Sequence, residues 1–246
     1  MSSHSSDPGT RPPITAPLSI RAGGLRADLC IQGAVFDCDG LLMDSEDTWL
    51  RMLSSWLSEH GRTPEEAERF HGFASADTAE RLGELTGLPA QSTLQEINAR
   101  YSEMLSDGVE LMPGARRLLT ELAASVPTAV ASNGLRRDVR TMLDSAGLLR
   151  SPGAVCTVED VAAGKPAPDL YLEACERLGV DPAATAAFED SPAGAQAAAA
   201  AGLIVIGVNQ DPHLELPCRY RISSLEEVLL PTAEPEAPID DQEHHD

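Results

Sequence analysis

Val35-Phe36-Asp37-Cys38-Asp39-Gly40 is the stretch from which the fold of this chain is inferred. Residues 34–36 form a short apolar run, typical of a fully buried strand, and Gly40 lets the backbone turn away from it. Asp37 and Asp39 are two positions apart, so in extended backbone their carboxylates point to the same side. Two like charges at the end of a buried strand need a cation or a hydrogen-bond network. Taken alone, the motif favours a simple acidic turn, but later stretches argue against that.

The second half of the chain alternates between strand-like apolar runs and helical patterns. Strands are expected at residues 128–131, 154–157, 185–188 and 203–208, and helices at 115–124, 135–146, 169–178 and 192–201. Alternation of this kind places the strands parallel, with right-handed crossovers through the helices. The sequence therefore predicts an α/β fold with a doubly wound parallel sheet.

Composition and periodicity also divide the chain into segments. Residues 46–108 show helical patterns and no strand pattern, which predicts a small helical cap domain inserted after the first strand. The α/β core is then made of residues 29–45 and 109–230. Residues 1–28 are rich in Ser, Pro and Gly, and residues 231–246 are acidic with prolines. We expect both terminal segments to be disordered.

The composition excludes several classes of partner. Acidic residues outnumber basic ones by 39 to 18, giving a net charge of −21, which repels nucleic acid and anionic membranes. A bound phosphate would therefore need a local positive charge or a metal. The five cysteines form no Cys-x-x-Cys pair, which favours a reducing, cytoplasmic location. No apolar stretch is long enough to span a bilayer, and nothing in the sequence indicates an oligomeric state.

Polar residues follow the predicted strands at the sheet edge where open α/β folds bind ligands. Asp37 and Asp39 come first, Ser132-Asn133-Gly134 follows the second core strand, and Glu189-Asp190-Ser191 follows a later one. Lys165 stands next to a proline just before a helix. Each group alone has an ordinary explanation as a turn, a solvated side chain or a complement to a helix dipole. Together they predict a Mg²⁺ site of carboxylates beside groups that hold a phosphoryl anion.

These stretches resemble the four motifs of the haloacid dehalogenase superfamily of phosphotransferases. The closer resemblance is to the branch containing beta-phosphoglucomutase and small sugar phosphatases. The matching stretches are Phe36-Asp37-Cys38-Asp39-Gly40-Leu41 with Asp44-Ser45-Glu46, Ser132, Gly164-Lys165-Pro166-Ala167-Pro168-Asp169 and Phe188-Glu189-Asp190-Ser191-Pro192-Ala193-Gly194. The resemblance covers roughly residues 30–230, and the helical insert lies where this family carries a cap.

The resemblance implies a role for each acidic residue. Asp37 would attack phosphorus and become an aspartyl phosphate, while Asp39 would act as general acid and then as general base. Mg²⁺ would be held by Asp37, by the backbone carbonyl of Asp39 and by Asp190, with Glu189 binding directly or through water.

The phosphoryl group would be held by Ser132, Asn133 and Lys165, which supply a hydroxyl, donors at a helix N-terminus and a positive charge. A receiver domain uses similar residues, but there the acidic pair comes first and the phosphorylated aspartate near the middle of the chain. Here the Asp-x-Asp pair comes first and Glu189-Asp190 last, which favours the enzyme.

The expected activity is hydrolysis of a small phosphorylated metabolite, in particular a sugar phosphate. A phosphosugar mutase is the alternative, since the family's mutases have a histidine after the first motif and an arginine in the cap. The histidine position falls on Trp49 and the arginine position near Ser75. Trp49, His71 and Ser75 are candidate substrate contacts in the cap. Because Trp49 cannot transfer protons, water is the expected acceptor of the phosphoryl group.

Overall fold

The computed structural model describes residues 14–22, 24–70, 73 and 75–230. Its strands are β1 Ala16–Ala22, β2 Leu25–Ile31, β3 Gly33–Phe36, β4 Thr128–Ser132, β5 Ala154–Thr157, β6 Thr185–Glu189, β7 Ile204–Val208, β8 Tyr220–Ile222 and β9 Val228–Leu229. Its helices are α1 Ser45–Glu59, α2 Ser75–Thr86, α3 Ala90–Ser106, α4 Ala115–Ala123, α5 Arg136–Ser145, α6 Asp169–Leu178 and α7 Pro192–Ala200.

Six strands form the central sheet, in the order β5-β4-β3-β6-β7-β8. Every pair in it is parallel, as the strand–helix alternation predicts. The central strand β3 is buried along its whole length. Phe36 stacks on Phe188 of β6 with ring centroids 4.7 Å apart. The α/β fold class is therefore confirmed.

Helices cover both faces of this sheet. Leucines of α4 and Val139 of α5 pack with Phe36 on one face. Leu170 of α6 and alanines of α7 pack with Val35 on the other face. Neighbouring residues of β3 thus pack into the cores on opposite faces of the sheet, because successive side chains of a strand point to opposite sides. The sheet is doubly wound.

The prediction of disorder over residues 1–28 is wrong from residue 16 onward. Here β1 and β2 form an antiparallel hairpin, and β9 pairs with β1 to complete a second sheet of order β2-β1-β9. Leu18 and Ile20 are fully buried in the same core as Phe36. The apolar side chains of this segment alternate along β1, so they all lie on one face of the strand, and that face packs against the core. Residues 1–13 and 231–246 lie outside the described part of the chain.

All the regular structure described between residues 45 and 106 is helical: α1, α2, α3 and a 3₁₀ helix, Pro64–Phe70. These elements enclose an apolar cluster of their own that includes Trp56, Phe70 and Ile97. In the part of the chain that is described, no helix is long and apolar enough to cross a membrane.

Candidate active site

The motif residues meet because of the strand order. β3 lies between β4 and β6, so the loops that follow these three strands leave the same edge of the sheet side by side. The Asp37 amide donates to the Phe188 carbonyl of β6 at 3.1 Å, which extends this pairing one residue past β3. Asp37 and Glu189 are buried at this edge.

Asp39 is held by two hydroxyl groups. Ser45 donates to Asp39 Oδ1 at 2.8 Å, and Ser132 donates to Asp39 Oδ2 at 2.9 Å. The Gly134 amide in turn donates to the Ser132 hydroxyl at 2.9 Å. Both oxygens of Asp39 thus accept hydrogen bonds, an arrangement that suits the ionised carboxylate.

Lys165 bridges two of the carboxylates. Its side chain is 4% exposed, and Nζ lies 2.5 Å from Asp37 Oδ1 and 2.6 Å from Glu189 Oε1. Two bonds to Asn133 fix its backbone: the Lys165 amide donates to Asn133 Oδ1 at 2.8 Å, and Asn133 Nδ2 donates to the Lys165 carbonyl at 3.1 Å. Asn133 therefore positions Lys165, a contact that the sequence did not indicate.

Among the described residues, Asp37, Glu189 and Asp190 form a group that could hold a metal ion, with ligand atoms within 4.8 Å of one another. Asp190 Oδ1 is buried and has no hydrogen-bond partner among the described residues. Gly40 makes room for this carboxylate, since a Cβ atom there would lie 2.3 Å from Asp190 Oδ2. A buried carboxylate oxygen without a donor, beside two further carboxylates, fits a hard divalent cation.

The electrostatics of the cluster also fit a cation. Burial raises the pKa of the Asp37 carboxyl well above its usual range, the charge of Glu189 raises it further, and Lys165 opposes both. Burial and Glu189 together raise the pKa of Asp190 to about 7. Burial disfavours the charge on Lys165, yet Asp37 and Glu189 hold its pKa above the ordinary lysine value. One ammonium group does not balance this many carboxylates, so added positive charge stabilises the cluster.

Glu189 is the most constrained of the carboxylates. It accepts hydrogen bonds from Lys165, from the Tyr171 hydroxyl and, at 3.3 Å, from Ser191 Oγ. A Cβ atom at Gly194 would lie 2.0 Å from Glu189 Oε1, so α7 begins directly against this carboxylate. Burial and the charge of Glu189 raise the pKa of Tyr171, which keeps its hydroxyl protonated as a donor.

Two further side chains, Ser45 and Tyr171, contact the site carboxylates, and the sequence pattern predicts a role for neither. Ser45 stands in the polar segment after Gly40, but its contact with Asp39 depends on how α1 starts. Tyr171 is an apolar position of α6 by its periodicity, and only the structure shows that its hydroxyl reaches Glu189.

The structure describes two of the three candidate cap contacts, Trp49 and Ser75. Trp49 is 7% exposed and packs edge-to-face on Tyr101 with centroids 5.1 Å apart, in the apolar cluster of the helices. Ser75 is half-buried at the start of α2, and His71 lies outside the described residues. A substrate contact by Trp49, His71 or Ser75 stays a prediction.

Comparison with known proteins places this geometry in a family. Residues 34–208 match the family described as haloacid dehalogenase-like hydrolase. Hexitol phosphatase A of Escherichia coli is 35% identical over 190 residues, covering 72% of this chain and 83% of that protein. Beta-phosphoglucomutase of Mycobacterium bovis is 31% identical over 239 residues, covering 83% and 91%. CbbY of Rhodobacter sphaeroides, solved in complex with phosphate, superposes with a TM-score of 0.66 at 25% identity, over 80% of this chain and 96% of that one. The chain belongs to the haloacid dehalogenase-like hydrolase family.

Proposed function

We propose that the protein is a magnesium-dependent phosphatase that hydrolyses a small phosphorylated metabolite, in particular a sugar phosphate, through an aspartyl-phosphate intermediate. The observation that carries the proposal is the buried bridge from Lys165 to Asp37 and Glu189, beside the partnerless oxygen of Asp190. The name of the hexitol phosphatase relative supports the substrate class. The substrate itself would be selected by the helices of residues 46–108, acting as a cap over the sheet edge.

Asp37 is the proposed nucleophile. Lys165 lies 2.5 Å from its carboxylate and stabilises the ionised form that attacks phosphorus, against the effect of burial. The bond from phosphorus to the leaving oxygen breaks as the Asp37 oxygen–phosphorus bond forms. Lys165 then neutralises charge on the transferred phosphoryl oxygens.

Asp39 is the proposed acid and base. In its protonated form it gives its proton to the leaving oxygen, and as a carboxylate it then takes a proton from the water that attacks the aspartyl phosphate. Ser45 and Ser132 fix its two oxygens. We propose that a bound phosphoryl group takes over the Ser132 hydroxyl, which frees one oxygen of Asp39 for the proton.

Asp37, Asp190 and the backbone carbonyl of Asp39 are the proposed metal ligands. Glu189 already accepts bonds from Lys165, Tyr171 and Ser191, so we assign it contact through water. When bound, Mg²⁺ supplies positive charge that offsets the charge of the phosphoryl group.

A phosphosugar mutase is the second candidate, because the beta-phosphoglucomutase of Mycobacterium bovis covers 83% of this chain. Trp49 argues against it: its side chain carries no group that transfers protons, and it is buried against Tyr101.

For the compartment we propose the cytoplasm, because the five cysteines are free thiols.

A screen of phosphorylated metabolites for Mg²⁺-dependent phosphate release tests the proposal, with Asp37→Asn as the negative control. Phosphate release that needs both Mg²⁺ and Asp37 would support it. Beta-glucose 1-phosphate with a trace of the 1,6-bisphosphate separates the two candidates. Conversion to glucose 6-phosphate faster than phosphate release would establish the mutase instead.

A further inference from the structure

The outer edge of the N-terminal hairpin is free among the described residues. β2 pairs with β1 along all seven of its residues and is the terminal strand of the order β2-β1-β9. The hairpin precedes residues 34–208, which match the family, and the proposed phosphatase chemistry does not use it. A long free edge offers backbone N–H and C=O groups to another strand.

The two faces of β2 differ. Ala27 and Leu29 pack against the core cluster below the sheet. Arg26, Asp28 and Cys30 alternate with them and are exposed on the outer face. β2 contains no proline, and its register with β1 is continuous, without a bulge. Proline and bulges are common means of blocking an edge, so β2 is open to pairing except for its two charges of opposite sign.

We propose that β2 is a dimerisation edge, which pairs antiparallel with β2 of a second copy about a twofold axis at Ala27. The two three-stranded sheets then form one continuous sheet, with an isologous interface. This use of the hairpin is independent of the chemistry at the sheet edge near Asp37.

The order of side chains in β2 is self-complementary in this register. Arg26 faces the partner's Asp28, and by symmetry Asp28 faces the partner's Arg26. On the inner face Leu25, which is 40% exposed, lies opposite the partner's Leu29. A twofold axis at Arg26 or at Asp28 would instead bring like charges directly opposite each other, which is destabilising. Of the three central registers, one satisfies both faces.

The dimer also relieves a charge conflict within the hairpin. The β1–β2 register puts Arg26 opposite Arg21, a like-charge pair. The Arg26 contact with Asp28 in the same strand spans 3.7 Å, with side chains 68% and 62% exposed, so water screens most of it. Ser19 donates to Asp28 Oδ1 at 2.6 Å, while Oδ2 makes the long contact with Arg26 of the same strand. The partner's Asp28 gives Arg26 a cross-strand counterion.

Charge reversal tests this pairing. Sedimentation of the full chain over concentrations up to about 100 µM should show a dimer. Arg26→Asp and Asp28→Arg should each weaken it about tenfold or more, because each puts two like-charge pairs across the interface. An equimolar mixture of the two variants should form a heterodimer, and the double variant should regain the homodimer. Asp47→Arg is the control: it alters the net charge by the same amount as Asp28→Arg, at an exposed position of α1, and should leave association unchanged.

Cross-linking tests the register independently of affinity. In a Cys30→Ser background, Ala27→Cys should form an intermolecular disulfide under mild oxidation, because the twofold axis brings the two copies of this position together. Leu25→Cys in the same background should not, since its neighbour is the partner's Leu29. Unchanged circular dichroism and phosphate release across the variants would show that the fold survives. A wild-type protein that stays monomeric, a dimer that survives both reversals, or single variants that do not complement each other would overturn the proposal.

Discussion

The site at the sheet edge and the core between the helices of residues 45–106 bury opposite kinds of side chain. At the sheet edge, Asp37, Glu189 and Lys165 are buried together and carry unequal charge. Between the helices, Trp56 and Phe70 belong to an apolar cluster. The charges there lie outside that cluster, as in the bond from Arg100 to Glu59 at 2.7 Å.

The difference separates stability from function. Burial of an apolar cluster lowers the free energy of the folded chain at any pH. Burial of excess carboxylates raises it, and a ligand of positive charge can then offset that cost. Substitutions at the sheet edge should therefore change activity and pH dependence. Substitutions within the helices should change the free energy of unfolding by an amount that does not depend on pH.

The largest effect on activity is expected for Asp37→Asn. Loss of the nucleophile should lower kcat by roughly 10³-fold or more. The metal-free variant should unfold at the same urea concentration as the parent or a higher one, because one buried negative charge is removed. Phosphate release and urea titration measure the two effects. Asp47→Asn, an exposed change in the nearby helix α1, is the matched control and should keep full activity. More than a few per cent of activity in repurified Asp37→Asn would remove the nucleophile assignment.

Lys165→Met should be the most destabilising change at the sheet edge. It leaves Asp37 and Glu189 buried without their counterion, which costs about 3–5 kcal/mol at pH 8. The loss should shrink at pH 5, because the carboxyl groups can then take up protons. Urea titrations of the metal-free protein at the two pH values measure this. An equal loss at both would show that Lys165 stabilises by packing alone.

Ile97→Ala is the matching change in the apolar cluster. The side chain is fully buried in this cluster, so its removal should cost about 2–5 kcal/mol. The same titrations should give the same loss at pH 5 and pH 8, measured at both against the parent. A strong pH dependence would contradict the contrast between the two regions.

A smaller effect is expected for pH and metal on the parent protein. The pKa of Asp190 is raised from 3.8 to about 7 in the folded metal-free protein. Between these values the folded chain binds more protons than the unfolded one, so stability falls as pH rises from about 4 to 7. Mg²⁺ should therefore raise the melting temperature more at pH 8 than at pH 5, and a chelator should reverse this. Asp190→Asn should flatten the profile and abolish the Mg²⁺ shift; an unchanged shift would place the metal elsewhere.

The parallel sheet could be predicted because the motifs of Asp37, Ser132 and Glu189 lie at the ends of apolar strands, while the Lys165 motif stands just before a helix. The chain around β3, with residues 34–36 ahead of Asp37, is the plainest example. Its β4 neighbour is equally apolar, and Ser132 ends it. Because β4, β3 and β6 are neighbours in the sheet, the loops that follow them lie side by side.

Other parts depend on contacts distant in sequence. The apolar residues of β1 alternate as in a half-buried strand, but they lie in a segment rich in Ser, Pro and Gly, and Leu18 and Ile20 become core residues because the second sheet packs beside the first. Tyr171 looks like any apolar position of α6 until its hydroxyl meets Glu189, 18 residues away. By sequence Asn133 is an ordinary turn residue, but its side-chain amide forms two hydrogen bonds with the backbone of Lys165, 32 residues away. Local pattern carries no signal for such pairs.

Trapping the phosphorylated enzyme tests the central claim most directly. The Asp39→Asn variant should accumulate the intermediate, because it lacks the base that activates water, when given a nitrophenyl phosphate whose leaving group needs no acid. After rapid quenching, borohydride should reduce the aspartyl phosphate to homoserine with release of phosphate. Peptide mass spectrometry should then find homoserine in place of Asp37, dependent on both substrate and Mg²⁺. Turnover at wild-type rates by Asp39→Asn, or phosphate carried by any residue other than Asp37, would contradict it.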